Sequence, residues 1–393
     1  MVLRNRGLLS VAAATSVAVA VAGYGLSGAS TVRSHATASI ASGSVYKVGV
    51  PMPETGPNAQ AGTEIFDAEQ LAADQINAKG GVLGHKIQLY EQDTACEAQT
   101  GASADAKLVS LGVQAFVGNY CSGAALPGEP IVARAGLPNL QPSANDPALT
   151  QGHFKDVFLL DPNSTGDATE ATAFFKMMHV KKVLIADDQS AFGVSVAQAA
   201  AADFRHAKIK FPTVQAVPAT TTDFSAVISV IKSTGVQAVY WTGYYAQWAL
   251  LVKQARAAGL NKVVYVGADS TVDPAFISGA GAAANGTYAT IVRTTQLLKG
   301  KQANLFTRQY RAKFHSAPGP YSAFGYDAMN TLAAAARKAH SIAPAKVIAA
   351  LHKIHLNGLT GPVSFTKAGA RVGAKFVVLE VKHGAYVSAP KQP

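Results

Sequence analysis

Ala115-Phe116-Val117-Gly118-Asn119-Tyr120-Cys121-Ser122-Gly123 is the stretch from which the fold is read. Ala115 to Val117 make a short apolar run of the kind found in a buried strand, and Gly118 breaks it. Small residues follow and can open a helix near Ser122. A strand feeding a helix N-terminus leaves backbone N–H groups without acceptors and the positive end of the helix dipole, which suit a carboxylate or a phosphate. The Ser122 hydroxyl serves equally as a helix cap or as a ligand to such an anion.

The same grammar repeats outward in both directions. Strand-like runs occupy 45–50, 86–90, 115–117, 157–160, 182–186, 214–217, 238–241, 263–266 and 287–292. Helical patterns lie between them at 59–77, 99–110, 165–179, 190–205, 223–232, 247–258 and 302–315. Such alternation means βαβ units and parallel sheets with helices on both faces. The units outnumber what one compact sheet holds, so the reading is α/β with two doubly wound parallel-sheet lobes joined by a hinge. No low-complexity linker separates them, and ordered crossings are expected near 160–164 and 291. Lobe 1 then takes 44–161 plus 291–361, and lobe 2 takes 162–290 plus 362–388.

The start of the chain differs from the rest. Arg4 and Arg6 precede an apolar run over 8–22, and Ala36-Thr37-Ala38 follows. This is the pattern of a secretory signal peptide over 1–38, cleaved after Ala38. The run is shorter than the roughly 20 residues of a membrane span, so a soluble periplasmic protein is expected. Gly23-Tyr24-Gly25-Leu26-Ser27-Gly28 fits the dinucleotide fingerprint. Ser, Thr and Ala follow it instead of a helix, and the first acid is Glu54, so it is discarded. The net charge of +11 falls to +8 once Arg4, Arg6 and Arg33 leave with the signal. The remaining basic residues are scattered singly, which reads as a solvated surface and not as a nucleic-acid site. Cys96 and Cys121 are the two cysteines. In an exported chain they read as one disulfide, closing a loop of about 25 residues worth on the order of 3 kcal/mol. No cysteine follows the apolar run, so a lipid anchor is not expected.

Ligands of open α/β sheets bind beyond the carboxyl ends of the strands. Tyr120 and Ser122 follow one strand there, and Gln141, Ser143 and Asn145 another. Asp187, Asp188, Gln189, Ser190 and Phe192 follow a third, Thr242, Tyr244 and Tyr245 a fourth, and Asp269 and Ser270 a fifth. Hydroxyls and amides collect in the first lobe, and aromatics with a lone carboxylate in the second. That split suits a small zwitterion held between lobes. A rival is Gly193-Val194-Ser195-Val196-Ala197, close to the nucleophile elbow of hydrolases. Its last residue departs from that pattern, Asp187 and Asp188 precede the serine, and His206 is too near in sequence, so Ser195 reads as a helix-face residue. The ten histidines show no metal-ligand spacing, and no cofactor or metal is expected. An exported sensor of the same fold is the third class.

Thr55-Gly56-Pro57, Gly62 and Ile76-Asn77-Ala78-Lys79-Gly80-Gly81 with Gly84 and Lys86 resemble the amino-terminal signature of the periplasmic leucine/isoleucine/valine-binding proteins. These are the substrate-binding components of branched-chain amino-acid ABC importers. The resemblance continues through Asp93, Cys96, the 118–122 stretch, Asp146-Pro147-Ala148-Leu149-Thr150 and Asp223-Phe224-Ser225. It ends with Gly243-Tyr244, Gln254-Ala255-Arg256-Ala257-Ala258-Gly259-Leu260 and Gly361-Pro362, and so covers nearly all of the mature chain. It implies a monomeric type I periplasmic binding protein that closes on a small amino acid or related acid and docks on a membrane permease. No bond would be made or broken. By the same resemblance Ser122 and Asn145, with backbone N–H groups near Tyr120, Ser143 and Ala144, grip the ligand carboxylate. Asp269 accepts the ammonium, and Tyr244, Phe192 and Tyr321 wall the side-chain pocket. Cys96 and Cys121 stand where the family has its disulfide. The chain departs from the family at Asn145 (often Thr), Asp269 (often Glu), Ala61 (an aromatic) and Tyr120 (small and apolar). The shorter Asp269 would seat the ammonium deeper, or leave it to Asp187 or Ser270. Ala61 would open space, so a larger or more polar amino acid, an aromatic acid or a small amide competes with the branched-chain ligands.

Overall fold

The computed structural model describes residues 45–151 and 154–393; the expected signal peptide and its cleavage after Ala38 lie outside the described residues. The chain begins with β1 (Tyr46–Met52), α1 (Ala59–Ala78), β2 (Ile87–Asp93) and α2 (Ala98–Ser110). It goes on through β3 (Ala115–Val117), α3 (Ser122–Ala135), β4 (Asn139–Gln141) and β5 (Val157–Leu159). These five strands form one sheet in the order β2-β1-β3-β4-β5, every pair parallel. Val48, Val50 and Met52 of β1 are wholly buried, as a strand covered on both faces requires. Helices α2 and α3 pack closely because small residues meet at their contact. A Cβ added to Gly101 would lie 2.6 Å from the Ala124 carbonyl oxygen, so nothing larger fits. Cys96 and Cys121 are disulfide-bonded with their Cα atoms 5.3 Å apart, and the loop between them carries α2.

The second sheet follows. Its helices and strands are α4 (Thr165–Met177), β6 (Val183–Asp187), α5 (Ala191–Ala207), β7 (Val214–Ala216), α6 (Ser225–Thr234) and β8 (Ala238–Trp241). After them come α7 (Tyr245–Ala257), β9 (Val264–Gly267), α8 (Pro274–Ala280) and β10 (Tyr288–Val292). Trp248 of α7 stacks between Trp241 of β8 and Phe276 of α8, at centroid distances of 6.3 and 6.1 Å, and so fastens these helices to the sheet. The chain then returns to the first sheet with α9 (Lys301–Phe314), α10 (Ser322–Lys338), α11 (Pro344–Leu351) and the hairpin β11 (Leu356–Gly358) and β12 (Gly361–Val363). Helix α10 packs along α1 and approaches β3 and β4. A last crossing brings β13 (Phe376–Lys382) and β14 (Ala385–Ser388) onto the second sheet, whose order is β14-β13-β10-β9-β8-β6-β7.

The sequence reading expects parallel strands throughout, whereas β13 runs antiparallel to β10, and β14 to β13. A strand arriving from the far end of the sheet can pair only in that sense. Helix α10 is largely buried, through Phe324, Ala328, Leu332, Ala333, Ala335 and Ala336, and leaves only a narrow half-buried stripe at Tyr326, Asn330 and Ala334.

Candidate functional site

The site is built where β3 gives way to α3. The Asn119 N–H donates to Gln141 Oε1 at 2.6 Å and ties the end of β3 to that of β4. Cys121, fixed by its disulfide, sets the start of α3 at Ser122. The Ser122 hydroxyl oxygen accepts the N–H groups of Asn145 (3.3 Å) and Asp146 (3.2 Å). With its oxygen accepting twice, the hydroxyl still has its own proton to donate. The first N–H groups of a helix also have no acceptor within it. A hydroxyl proton and a helix N-terminus together make a seat for an oxyanion.

Asp269 faces this seat from the one-turn segment Asp269–Thr271 after β9, and it is 2% exposed. The Asn145 side-chain amide donates to Asp269 Oδ2 at 3.1 Å and to Asp161 Oδ2 at 3.3 Å. Asp167, in the first turn of α4, accepts from the Thr290 hydroxyl at 2.8 Å. Three buried carboxyls therefore meet behind one end of the cleft. Burial pushes Asp269 up to about 6, while hydrogen bonds from Asn145, Asp167, the Ser270 N–H and Tyr321 hold it down. Burial, reinforced by the charge of Asp269, raises Asp161 and Asp167 well above the carboxylate range; Arg371 opposes this at Asp161. Arg371 is itself anchored on the Leu160 carbonyl at 2.7 Å and the Thr360 hydroxyl at 2.9 Å.

Aromatic rings close the space between the two ends. Tyr120 meets Tyr244 at a centroid distance of 5.7 Å and Tyr321 at 5.8 Å, and Phe192 meets Tyr244 at 5.8 Å. Tyr244 is positioned through its backbone, whose N–H donates to Asp188 Oδ2 at 2.9 Å. Asp188 approaches so closely that a Cβ on Gly243 would lie 2.6 Å from its own Cβ, which is why glycine precedes the tyrosine. Outside the cavity, the Tyr245 hydroxyl donates to the Pro57 carbonyl at 2.7 Å and joins α7 to the loop before α1.

Tyr120, Ser122, Ser143, Asn145, Phe192, Tyr244, Asp269 and Tyr321, together with Ser270, line one tightly closed cavity of about 10 Å³, room for about one water. Ala144 lies behind it, its N–H donating to the Asn119 carbonyl at 3.1 Å and its side chain buried beside Leu149 and Leu159. Asp187 turns away from the cavity and accepts the Gln189 N–H at 2.8 Å. Ala61 lies on α1, buried in the same apolar cluster as Tyr120, Tyr244 and Tyr321, and is not among the lining residues. Ser195 lies on α5 and donates to the Phe192 carbonyl at 2.9 Å; His206, further along that helix, is roughly 16 Å away. The reading from sequence passed over Asp161 and Asp167. The signal for Asp161 was present, since it follows the β5 run as directly as Asp269 follows β9.

No group of His, Cys, Asp or Glu among the described residues is arranged to hold a metal ion. No helix among them is long and apolar enough to cross a membrane. A family model described as periplasmic binding protein matches residues 45–385. The leucine-specific-binding protein of Salmonella typhimurium is 27% identical over 335 residues, covering 85% of this chain and 90% of its own. Among solved structures, a leucine-binding protein of Thermotoga maritima superposes with a TM-score of 0.82 at 27% identity, covering 88% of this chain and 98% of its own. The branched-chain amino acid transporter substrate-binding protein of Streptococcus pneumoniae, in complex with isoleucine, gives 0.80 at 28% identity and covers 89% and 100%.

Proposed function

The chain belongs to the periplasmic binding protein family and has its type I fold, and from that premise we propose that it is the exported solute receptor of an ABC importer. Two lobes, residues 44–161 with 291–361 and residues 162–290 with 362–388, close by a hinge on a small molecule bearing a carboxylate and an ammonium. The strands support two lobes, since β1 to β5 share one sheet and β6 to β10, β13 and β14 the other, although β10 runs on to Val292 and β12, paired with β11, to Val363. One observation carries the reading. Ser122 with the start of α3, and Asp269 after β9, face the same enclosed cavity, whose lining holds no lysine, arginine or histidine. A ligand carboxylate then takes the hydroxyl and helix end, and its ammonium answers Asp269 through a charge-assisted hydrogen bond. The isoleucine bound to the Streptococcus pneumoniae relative supports an amino acid. The closed form docks on a membrane permease, and the chain works as a soluble periplasmic monomer once residues 1–38 are removed. Binding and release are its whole chemistry.

The test is thermal unfolding of refolded, ligand-stripped protein against amino acids, aromatic acids, small amides and nucleotides. A solute at about 100 times its Kd stabilises the fold by roughly 2.7 kcal/mol, a rise of a few degrees. The expected rise is confined to amino acids. A rise with acids lacking an amine would strip Asp269 of its role, and no rise with any solute would remove the receptor reading.

A further inference from the structure

A separate groove of about 510 Å³ opens between α1, α9, α10 and the β11–β12 hairpin. It falls within the roughly 300–1,000 Å³ of small-molecule sites and shares no lining residue with the cleft cavity. Amides dominate its polar lining: Gln75 on α1, Gln302 and Gln309 on α9, Asn330 on α10 and Asn357 on β11. Hydrogen bonds set three of them. The Tyr326 hydroxyl donates to Gln75 Oε1 at 2.6 Å, and Gln75 Nε2 donates to Gln309 Oε1 at 3.2 Å. Asn330 Nδ2 donates to the Tyr326 carbonyl at 2.8 Å. That order leaves Gln309 Nε2 as a donor and Asn330 Oδ1 as an acceptor, and neither has a partner among the described residues.

Free charge is nearly absent from the lining. Asp327 is 2% exposed, and its two oxygens accept the Leu359 and Thr360 N–H groups, each at 2.8 Å. Lys79 is the one other charged residue there. The apolar part of the wall includes Leu305, 41% exposed, with Leu356 and Leu359. A ligand suited to these walls carries no charge, both donates and accepts hydrogen bonds, and offers an apolar face. A hydroxyl donates and accepts at once, and a pyranose holds several hydroxyls around a ring with C–H faces.

We propose that this groove is a binding site for neutral saccharides. A carboxylate or phosphate would find only the Lys79 ammonium, and a cation would find the Asp327 carboxylate already engaged. A wholly apolar partner would bury the amides unpaired, at about 1–3 kcal/mol for each group. The site stands apart from the cleft and from the reading given to it above.

Saturation-transfer NMR of the protein with maltose, cellobiose and N,N′-diacetylchitobiose, and with glycerol as a control, tests this on the wild type, Gln309→Ala and Asn330→Ala. Saturable transfer to at least one disaccharide and none to glycerol is expected, with about a tenfold loss of affinity in each variant. Gln309 is exposed, so its replacement leaves the fold intact. Tyr326→Phe frees Gln75 and is expected to weaken the same sugar by a smaller factor. Retention on amylose, cellulose or chitin that follows the disaccharide result marks a glycan chain as the source, and disaccharide binding without it marks a free sugar; both keep the site. No transfer to any of the three sugars, equal transfer to glycerol, or affinity unchanged in both variants overturns it, and each leaves the cleft reading untouched.

Discussion

Asp161, Asp167 and Asp269 behind the cavity, and Asp105, Glu129 and Asp156 between α2, α3 and the first sheet, are both clusters of buried carboxyls. Their surroundings differ. The cleft cluster receives the Asn145 amide and the Thr290 hydroxyl and has Arg371 beside it. In the inner cluster Asn139 donates to Glu129 at 2.6 Å, and Asp105 lies against the backbone of Gly128; one oxygen of each of these acids lacks a partner, as does one of Asp161 and one of Asp167. Burial pushes Asp105 up to about 8, and Glu129 well above the carboxylate range with Asp156 adding to it. The comparison teaches that burial alone does not make a carboxyl functional. A carboxyl sealed in a helix interface keeps its proton and fills space. On a cavity wall, the same group can exchange its proton for a cationic solute.

The largest expected effect separates the clusters by affinity. Asp269→Ala should weaken an amine-bearing ligand about a thousandfold, roughly 4 kcal/mol, while Asp105→Asn leaves binding unchanged. Calorimetry on both variants decides it, and equal losses would erase the distinction. Next in size is the disulfide, whose loop carries Asp105. Replacing Cys96 and Cys121 by serine should cost on the order of 3 kcal/mol in urea unfolding, and a loss under about 1 kcal/mol would mean that the loop is held by packing alone.

The pH dependence comes third. An unfolded chain releases the Asp105 proton near pH 4, and the folded chain does so near 8. The folded state therefore keeps a proton that the unfolded state has lost. Stability from this group is whole below about pH 4 and declines as pH rises toward 8, by up to ~1.4 kcal/mol per pH unit. Asp105→Asn should flatten that decline between about pH 5 and pH 7. Urea midpoints that fall equally steeply in the variant would shift the cause to Glu129. At the cleft the sign is opposite for binding. Asp269, pushed up to about 6 when the site is empty, must be ionised to meet an ammonium. Affinity should thus rise about tenfold from pH 5 to pH 7 and then level. A flat profile would show that Asp269 is already charged before the ligand arrives.

The alternation of apolar strands with helices was legible because central parallel strands are covered on both faces and read as unbroken apolar runs. The site was legible because the strand-end rule is geometric: Tyr120, Ser122, Tyr244 and Asp269 follow strands that the sequence marks clearly. Helix α10 was not, because its many small apolar residues leave only a narrow half-buried stripe at Tyr326, Asn330 and Ala334. The antiparallel β13 and β14 escaped for a different reason, since a late strand's direction depends on where the third crossing delivers it. Whether Ala61 touches the cavity could not be read from sequence, because it depends on how α1 packs on the cleft aromatics, with which it shares one buried cluster. Asp167 needed the fold itself, because it meets Thr290 across more than a hundred residues of sequence.

The Tyr245 hydroxyl on the Pro57 carbonyl has a consequence for timing. On the proposed two-lobe reading it would span the cleft outside the solute chamber and hold every closed complex alike, whatever lay inside. A neutral hydrogen bond of about 1 kcal/mol lengthens the dwell of the closed state roughly fivefold. On that reading the chamber would choose the passenger, and this remote tyrosine would act as a clock for how long it stays aboard.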